Sequence, residues 1–376
     1  MAVRVVERSG YRILGPAFVG STPMRRSLLC LIGSAMAVLA VNAGVAQADS
    51  GPGIFRVTTT DDGAAANPFD GQCRDRAGRC TLRAAVQAAD VRPGSTIVVP
   101  AGRFVLSIPP NPWNINGPLV DPTTGDLDIT ADTSVIGAGQ DRTIIDANHL
   151  DRALVTTAHV SISGLTVTGG NAAEHEIPLY DTGGGGIANS GRLRLDHVTV
   201  TGNAADYGGG IFNIPIADLT MTDGVVTGNA SGEAGGVRCD NTCTFTRTAI
   251  TGNHVINPRR WYRFGGFAGR GGGLDIRGVG AVVLIDSTVT GNSATDGGGG
   301  INIAPAYLDT LPRPVTDALA PGAGELIVRG STIAANASDC GERNCAKAFA
   351  HIVSTGGNRA DDASCDLTAT GDEIHP

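Results

Sequence analysis

Two polar stretches bracket a short one, and their residue types suit sugar chemistry. The first, after Asn171, offers Glu174, His175, Glu176, Tyr180 and Asp181. The second, after Asn253, offers Arg259, Arg260, Trp261, Tyr262 and Arg263. Between them lie Asp206, Tyr207 and Glu233. Aromatic faces stack on sugar rings and guanidinium groups fork onto carboxylates, while acids suit general acid–base work or calcium. Whether these residues meet depends on the elements that carry them.

Those elements repeat. From Arg192 the chain reads RLRLDHVTVTGNAADYGGGIFN and then LTMTDGVVTGNASGEAGGV: an alternating run, Thr-Gly-Asn, a polar connection, a glycine cluster, an aliphatic residue. Asn171, Asn203, Asn229, Asn253, Asn292 and Asn336 mark successive units, followed in the same order by Ile187, Ile211, Val237, Leu274 and Ile301. A fixed period of this length signals stacked units that each contact only their neighbours. Period-two runs such as Leu193, Leu195, Val198 and Val200 make each unit β rather than helical. The expected fold is all-β: a single-stranded right-handed parallel β-helix with a short N-terminal capping helix. With 54 glycines and 4% aromatic residues, its interior must be filled by small and β-branched side chains.

In this frame the asparagines are structural, each turning a corner and stacking its amide on the next at about 4.8 Å. The glycine clusters are corners too, since no Lys-Ser or Lys-Thr follows them as in a phosphate loop. The two long connections leave from one corner three coils apart, about 14 Å along the axis. They make the walls of a groove whose floor holds Asp206, Tyr207 and Glu233. A third insertion, Pro305 to Pro321, leaves from another corner.

The ends differ from the repeat. From Met24, MRRSLLCLIGSAMAVLAVNAGVAQA has the basic start, apolar run and Ala46-Gln47-Ala48 exit of a secretory signal peptide, so residues 1–48 read as an address with Met24 the true start. Residues 49–92 read as an N-terminal cap segment, in which Leu82, Ala85, Val86 and Ala89 recur at helical spacing before Pro93-Gly94. Residues 93–336 form the β-helix and 337–376 a cysteine-containing tail. Export makes disulfides available: Cys73 with Cys80 and Cys239 with Cys243 are closable where the chain turns. Of Cys340, Cys345 and Cys365, one thiol is left over; Cys340 and Cys365 are expected among the disulfide cysteines, with the pairing of the three open.

The order VTTT-DD, CTLRAA, TIVVPAGRF, GDLDI, VIGAG, TIID, ISGLTVTGGN, then glycine-rich repeats, resembles the secreted CSLREA-domain proteins. The later coils resemble the repeats of polymorphic outer membrane proteins. The resemblance implies export and a β-helix of pectate-lyase-like shape, and no settled activity. Cys80-Thr81-Leu82-Arg83-Ala84-Ala85 has Thr for Ser and Ala for Glu relative to the naming motif.

The net charge is -8, and residues 1–48 hold five arginines against one glutamate, so the rest is more acidic still. That balance disfavours nucleic acid and anionic membranes as partners. The expectation is an exported monomer, secreted or at the cell surface, with no membrane span in the mature chain. It needs no cofactor or metal, calcium being compatible but not indicated, and binds extracellular or envelope glycan. Alternatives are a polysaccharide lyase or glycoside hydrolase in the same groove, and a ligand-free spacer. A lysine base for a lyase would have to be Lys347, the chain's one lysine; an arginine base would come from Arg259, Arg260 or Arg263.

Overall fold

The computed structural model describes residues 51–111, 122–172, 183–256, 269–278, 280–304, 324–347 and 350–375. The expected signal segment 1–48, with Met24, and the third insertion lie outside them.

One coil shows how the repeat folds. Arg192–Thr201 lies in sheet A, Ala204–Tyr207 in sheet C and Ile211–Asn213 in sheet B, before Asp218–Thr222 re-enters sheet A on the next coil. Each strand pairs in parallel with its counterpart one coil away, so Leu193 stacks on Leu219, Cys243, Val282 and Leu326 in turn. In sheet B, Ile187, Ile211, Val237, Leu274, Ile301 and Cys345 make a second column. Every second residue points inward, and these columns are almost fully buried. Each buried aliphatic side chain contributes about 1.5–3 kcal/mol relative to exposure, so the coils adhere through many modest contacts. The described residues form a parallel β-helix of three sheets with one short helix.

The asparagine corner is a hydrogen-bonded column. Asn203 Nδ2 donates to Asn229 Oδ1 at 2.9 Å, Asn229 to Asn253 at 2.9 Å, Asn253 to Asn292 at 3.0 Å and Asn292 to Asn336 at 3.0 Å. Each Oδ1 also accepts the preceding asparagine's backbone N–H. Asn171 does not occupy this column, contrary to its place in the sequence series. It sits one position further on, opposite Ala204, while Gly170 N–H donates to Asn203 Oδ1 at 2.9 Å. At the other end the column gains Asn344, whose Oδ1 accepts from Asn336 at 2.9 Å.

Sheet A bends within each coil where His197, Asp223, Arg247 and Asp286 take φ values of 50°, 50°, 47° and 49°. These left-handed residues cost energy locally. A second ladder follows the bend: Thr248 N–H donates to Ser287 Oγ at 3.1 Å, Ser287 N–H to Ser331 Oγ at 3.0 Å, and Ser331 N–H to Asn358 Oδ1 at 2.9 Å.

The cap forms as its sequence suggests. Thr81 is the N-cap of the helix Leu82–Val91, its Oγ1 accepting from Ala84 N at 3.0 Å. The helix packs on strands Ser95–Val98 and Leu127–Ile129 of the first coils and is buried from Leu82 to Ala89. Arg83 anchors it: Nε bonds Asp62 Oδ1 at 2.8 Å, Nη1 the Asp126 carbonyl at 2.9 Å and Nη2 the Gly125 carbonyl at 2.7 Å. This arginine of the CTLRAA stretch therefore ties helix, loop and coil together.

The strands continue past residue 336, where the sequence repeat fades. Ala337–Ser338, Cys345–Lys347, His351–Ser354 and Arg359–Ala360 pair on the preceding coil. Buried Cys365 and Leu367 belong to the segment that follows. Cys73 pairs with Cys80 and Cys239 with Cys243, but the third disulfide joins Cys345 to Cys365, and Cys340 is an exposed free thiol. Cys340, expected among the bonded cysteines, is displaced because Cys345 is an inward residue of sheet B, with its Cα 5.0 Å from that of Cys365.

Candidate functional site

Both long connections start and return along sheet C, close to where it turns into sheet B. Ala172 N–H bonds the Ala204 carbonyl and Gly183 bridges to Tyr207; Ile256 N–H bonds the Ser231 carbonyl and Gly269 N–H the Gly232 carbonyl. The connections share a corner, as their positions in the repeat require. Their residues Glu174, His175, Glu176, Tyr180 and Asp181, and Arg259, Arg260, Trp261, Tyr262 and Arg263, lie outside the described residues.

The floor residues are placed, and differently from expectation. Asp206, Tyr207 and Glu233 read as short exposed connections, yet all three belong to sheet C strands, Ala204–Tyr207 and Ala230–Glu233. Tyr207 pairs in register with Glu233. Asp206 and Glu233 are buried, at 3% and 4% exposure, and only Tyr207 is half-buried. The connection is too short to leave the wall, so the residues stay in the ladder.

What surrounds them is the outward row of sheet B. Phe212, Arg238, Asp275 and Asn302 stand on successive strands in register, between inward aliphatic neighbours. The Arg238 guanidinium lies 4.9 Å from the Tyr207 ring centroid and 5.2 Å from that of Phe212. Both are within cation–π range. Its Nε bonds Asp240 Oδ1 at 2.8 Å and its Nη1 lies 3.3 Å from Glu233 Oε2. The other oxygen of Glu233 pairs with Arg277 Nη2. Arg277 Nε bonds Asp275 Oδ2 at 2.7 Å, and Asn302 Nδ2 donates to Asp275 Oδ1 at 2.5 Å. Five charged side chains thus form one chain of contacts over two coils, and Asn302 extends it to a third.

Burial decides the electrostatics. It pushes the Asp240 carboxyl above its ordinary range, with neighbouring Asp275 adding to the effect against the pull of Arg238. It raises the Tyr207 phenol too, with Glu233 beside it. Burial opposes charge at Arg238, but Asp240 and Glu233 outweigh it and its pKa lies above the ordinary guanidinium value. Arg238 is therefore a permanent cation, unsuited to act as a base. Glu233, Asp240 and Asp275 each bond a guanidinium, which makes the cluster an ion-paired set rather than a cation cage. At the N-terminal end of sheet B, burial with Asp151 and Asp128 nearby holds the Asp126 carboxyl well above its usual range, and Arg152 Nε lies 2.9 Å from Asp126 Oδ2.

Sequence reading missed Phe212, Arg238, Asp240, Asp275, Arg277 and Asn302. A signal existed: aligning IFN, VRC, LDIR and INIA by their aliphatic residues puts Phe212, Arg238, Asp275 and Asn302 in one outward column. Elsewhere, Asp196, His197 and Asp223 cluster on the sheet A bend, but Arg247 holds both Asp223 oxygens at 2.7 Å.

No family model matches this chain, and no curated protein does. Among solved structures, the crystal structure of pectate lyase Pel9A is similar at 14% identity and a TM-score of 0.45. The match covers 83% of this chain and 68% of that one. The likeness is one of fold.

Proposed function

We propose that this chain is an exported β-helix protein of the CSLREA-domain type that binds extracellular or cell-envelope glycan at the corner of sheets C and B. One observation carries the reading: half-buried Tyr207 stacks on the Arg238 guanidinium on the two coils that lie between the long connections. A rigid aromatic face backed by a fixed cation suits a sugar ring and its hydroxyls. The connections add Trp261, Tyr262 and acidic residues of the same chemistry. Three disulfides support export. A lyase with a lysine base finds less support, because Lys347 stands on the sheet B strand Cys345–Lys347, paired with Asp366.

The test is a glycan array followed by titration of the hits. Tyr207→Leu and Trp261→Ala should each weaken the hit by about 1–3 kcal/mol, the usual worth of an aromatic anchor, with the thermal midpoint little changed. An array without any hit for the wild type would leave the spacer reading in its place. Chain cleavage abolished by acidic or arginine substitutions would install the enzyme reading.

A further inference from the structure

The outward face of sheet A, on another side of the coil, holds a recess of about 420 Å³. Three strands line it, Thr133–Ile136, His159–Thr168 and Arg192–Thr201, with Thr220 at the margin. In register, His159 lies beside Arg192, and Ser134, Ser161, Arg194 and Thr220 form the adjacent row. Ser161 Oγ and Ser134 Oγ are 3.0 Å apart.

The charge here departs from the chain as a whole. Two arginines and a histidine face one lining carboxylate, Asp132, in a protein of net charge -8. Asp132 is engaged by His159, whose N–H donates to Oδ1 at 3.0 Å and whose Nδ1 lies 3.6 Å from Oδ2. Arg192 Nε lies 3.4 Å from Asp218 Oδ2 at the edge, a loose and exposed pair. Arg194 is exposed and meets no carboxylate among the described residues. An exposed cation beside a hydroxyl row is complementary to an anion that also offers several acceptors.

We infer that this recess binds a phosphate- or sulfate-ester group carried by a saccharide. Arg192 and Arg194 alternate on one strand face, so their bases stand roughly 6.6–6.8 Å apart. A tetrahedral ester presents three oxygens to separate donors, while a carboxylate is satisfied by a single guanidinium fork. The recess is larger than an inorganic ion needs, and Ser134, Ser161 and Thr220 supply both donors and acceptors for sugar hydroxyls. The inference shares the glycan class proposed above but uses none of the same residues.

The experiment is calorimetric titration of the exported chain at low salt. The probes are a sulfated dextran oligomer, a phosphorylated one, the uncharged oligomer and inorganic sulfate. At least one charged oligomer should bind and the uncharged one should not, with affinity falling as salt rises. Whichever ester binds more tightly identifies the group. Arg192→Gln and Arg194→Gln should each weaken binding about tenfold, as loss of a charge-assisted contact predicts, without moving the thermal midpoint. Tyr207→Leu should leave this binding intact. The inference is overturned if the double arginine variant binds unchanged, if inorganic sulfate binds as tightly as the oligomers, or if no charged oligomer binds. Binding that is lost in Tyr207→Leu and kept in the arginine variants would move the anionic glycan to the other corner, sparing the first proposal and ending this one.

Discussion

Sheets A and B are built from the same alternation, yet their outward rows have opposite fates. On sheet A, Ser134, Ser161, Thr220 and Thr244 are half-buried and Arg194 is exposed. On sheet B, Phe212, Arg238, Asp275 and Asn302 occupy the equivalent outward row, and Phe212, Asp275 and Asn302 are 0–4% exposed. The charged groups follow suit: Arg247 and Asp223 pair in solvent on the sheet A bend, while Arg277 and Glu233 pair in the interior of the sheet B corner. Local pattern selects which side of a strand faces out. Solvation of that side is a separate matter, and it sets what an ion pair is worth.

The largest expected effect follows from that difference. Arg277→Ala should destabilise the fold by about 3–5 kcal/mol, because it removes the guanidinium that Glu233 Oε1 and Asp275 Oδ2 share in a buried setting. Arg247→Ala should cost far less, because its pair with Asp223 is exposed and screened by solvent. Urea denaturation of both variants compares them directly, and equal losses would erase the distinction between the two faces.

Next in size is the corner column that serves both sheets. Asn253→Ala removes the acceptor used by Asn229 N–H and Nδ2 and the donor to Asn292. About 2–3 kcal/mol should be lost, since buried groups are left unpaired. Asn171→Ala, outside the column, should cost clearly less in the same assay.

A smaller effect is one of sign with pH. The raised pKa of Asp240 means that, between its unfolded and folded values, the folded chain binds more protons, so its contribution is fully present below the unfolded pKa and is lost as pH rises through the raised value. Asp223 is the reverse. Hydrogen bonds from Arg247 hold its carboxyl below the ordinary range, so its contribution is present above the unfolded pKa and is lost as pH falls. Thermal midpoints from pH 3 to 7 should therefore show the gap between wild type and Asp240→Asn shifting in favour of wild type on acidification. The gap to Asp223→Asn should shift against it. Parallel curves for the two variants would contradict the assignment.

The smallest effect is on stability at the recess. Arg194→Gln should leave the midpoint within about 0.5 kcal/mol of wild type, as surface substitutions do.

The sequence by itself determined the coil. A 24- to 26-residue period with alternation inside each unit fixes which residues stack, because each strand pairs only with its copy one turn away. Leu193 on Leu219 and Asn203 on Asn229 could be read this way; the helix at Leu82–Ala89 was legible from its own spacing, and Cys73–Cys80 and Cys239–Cys243 from the short turns they close. Tertiary structure alone decided that Glu233 meets Arg277, 44 residues later and across an insertion of unrelated sequence. It also decided that Cys345 rather than Cys340 reaches Cys365, and that Asp206 and Glu233 are buried strand residues instead of a solvated floor. A repeat specifies neighbours along the axis through backbone pairing, which is local to adjacent coils. Contacts made by the outward side chains depend on how far each reaches and on whether water remains around it, and neither quantity is periodic in the sequence.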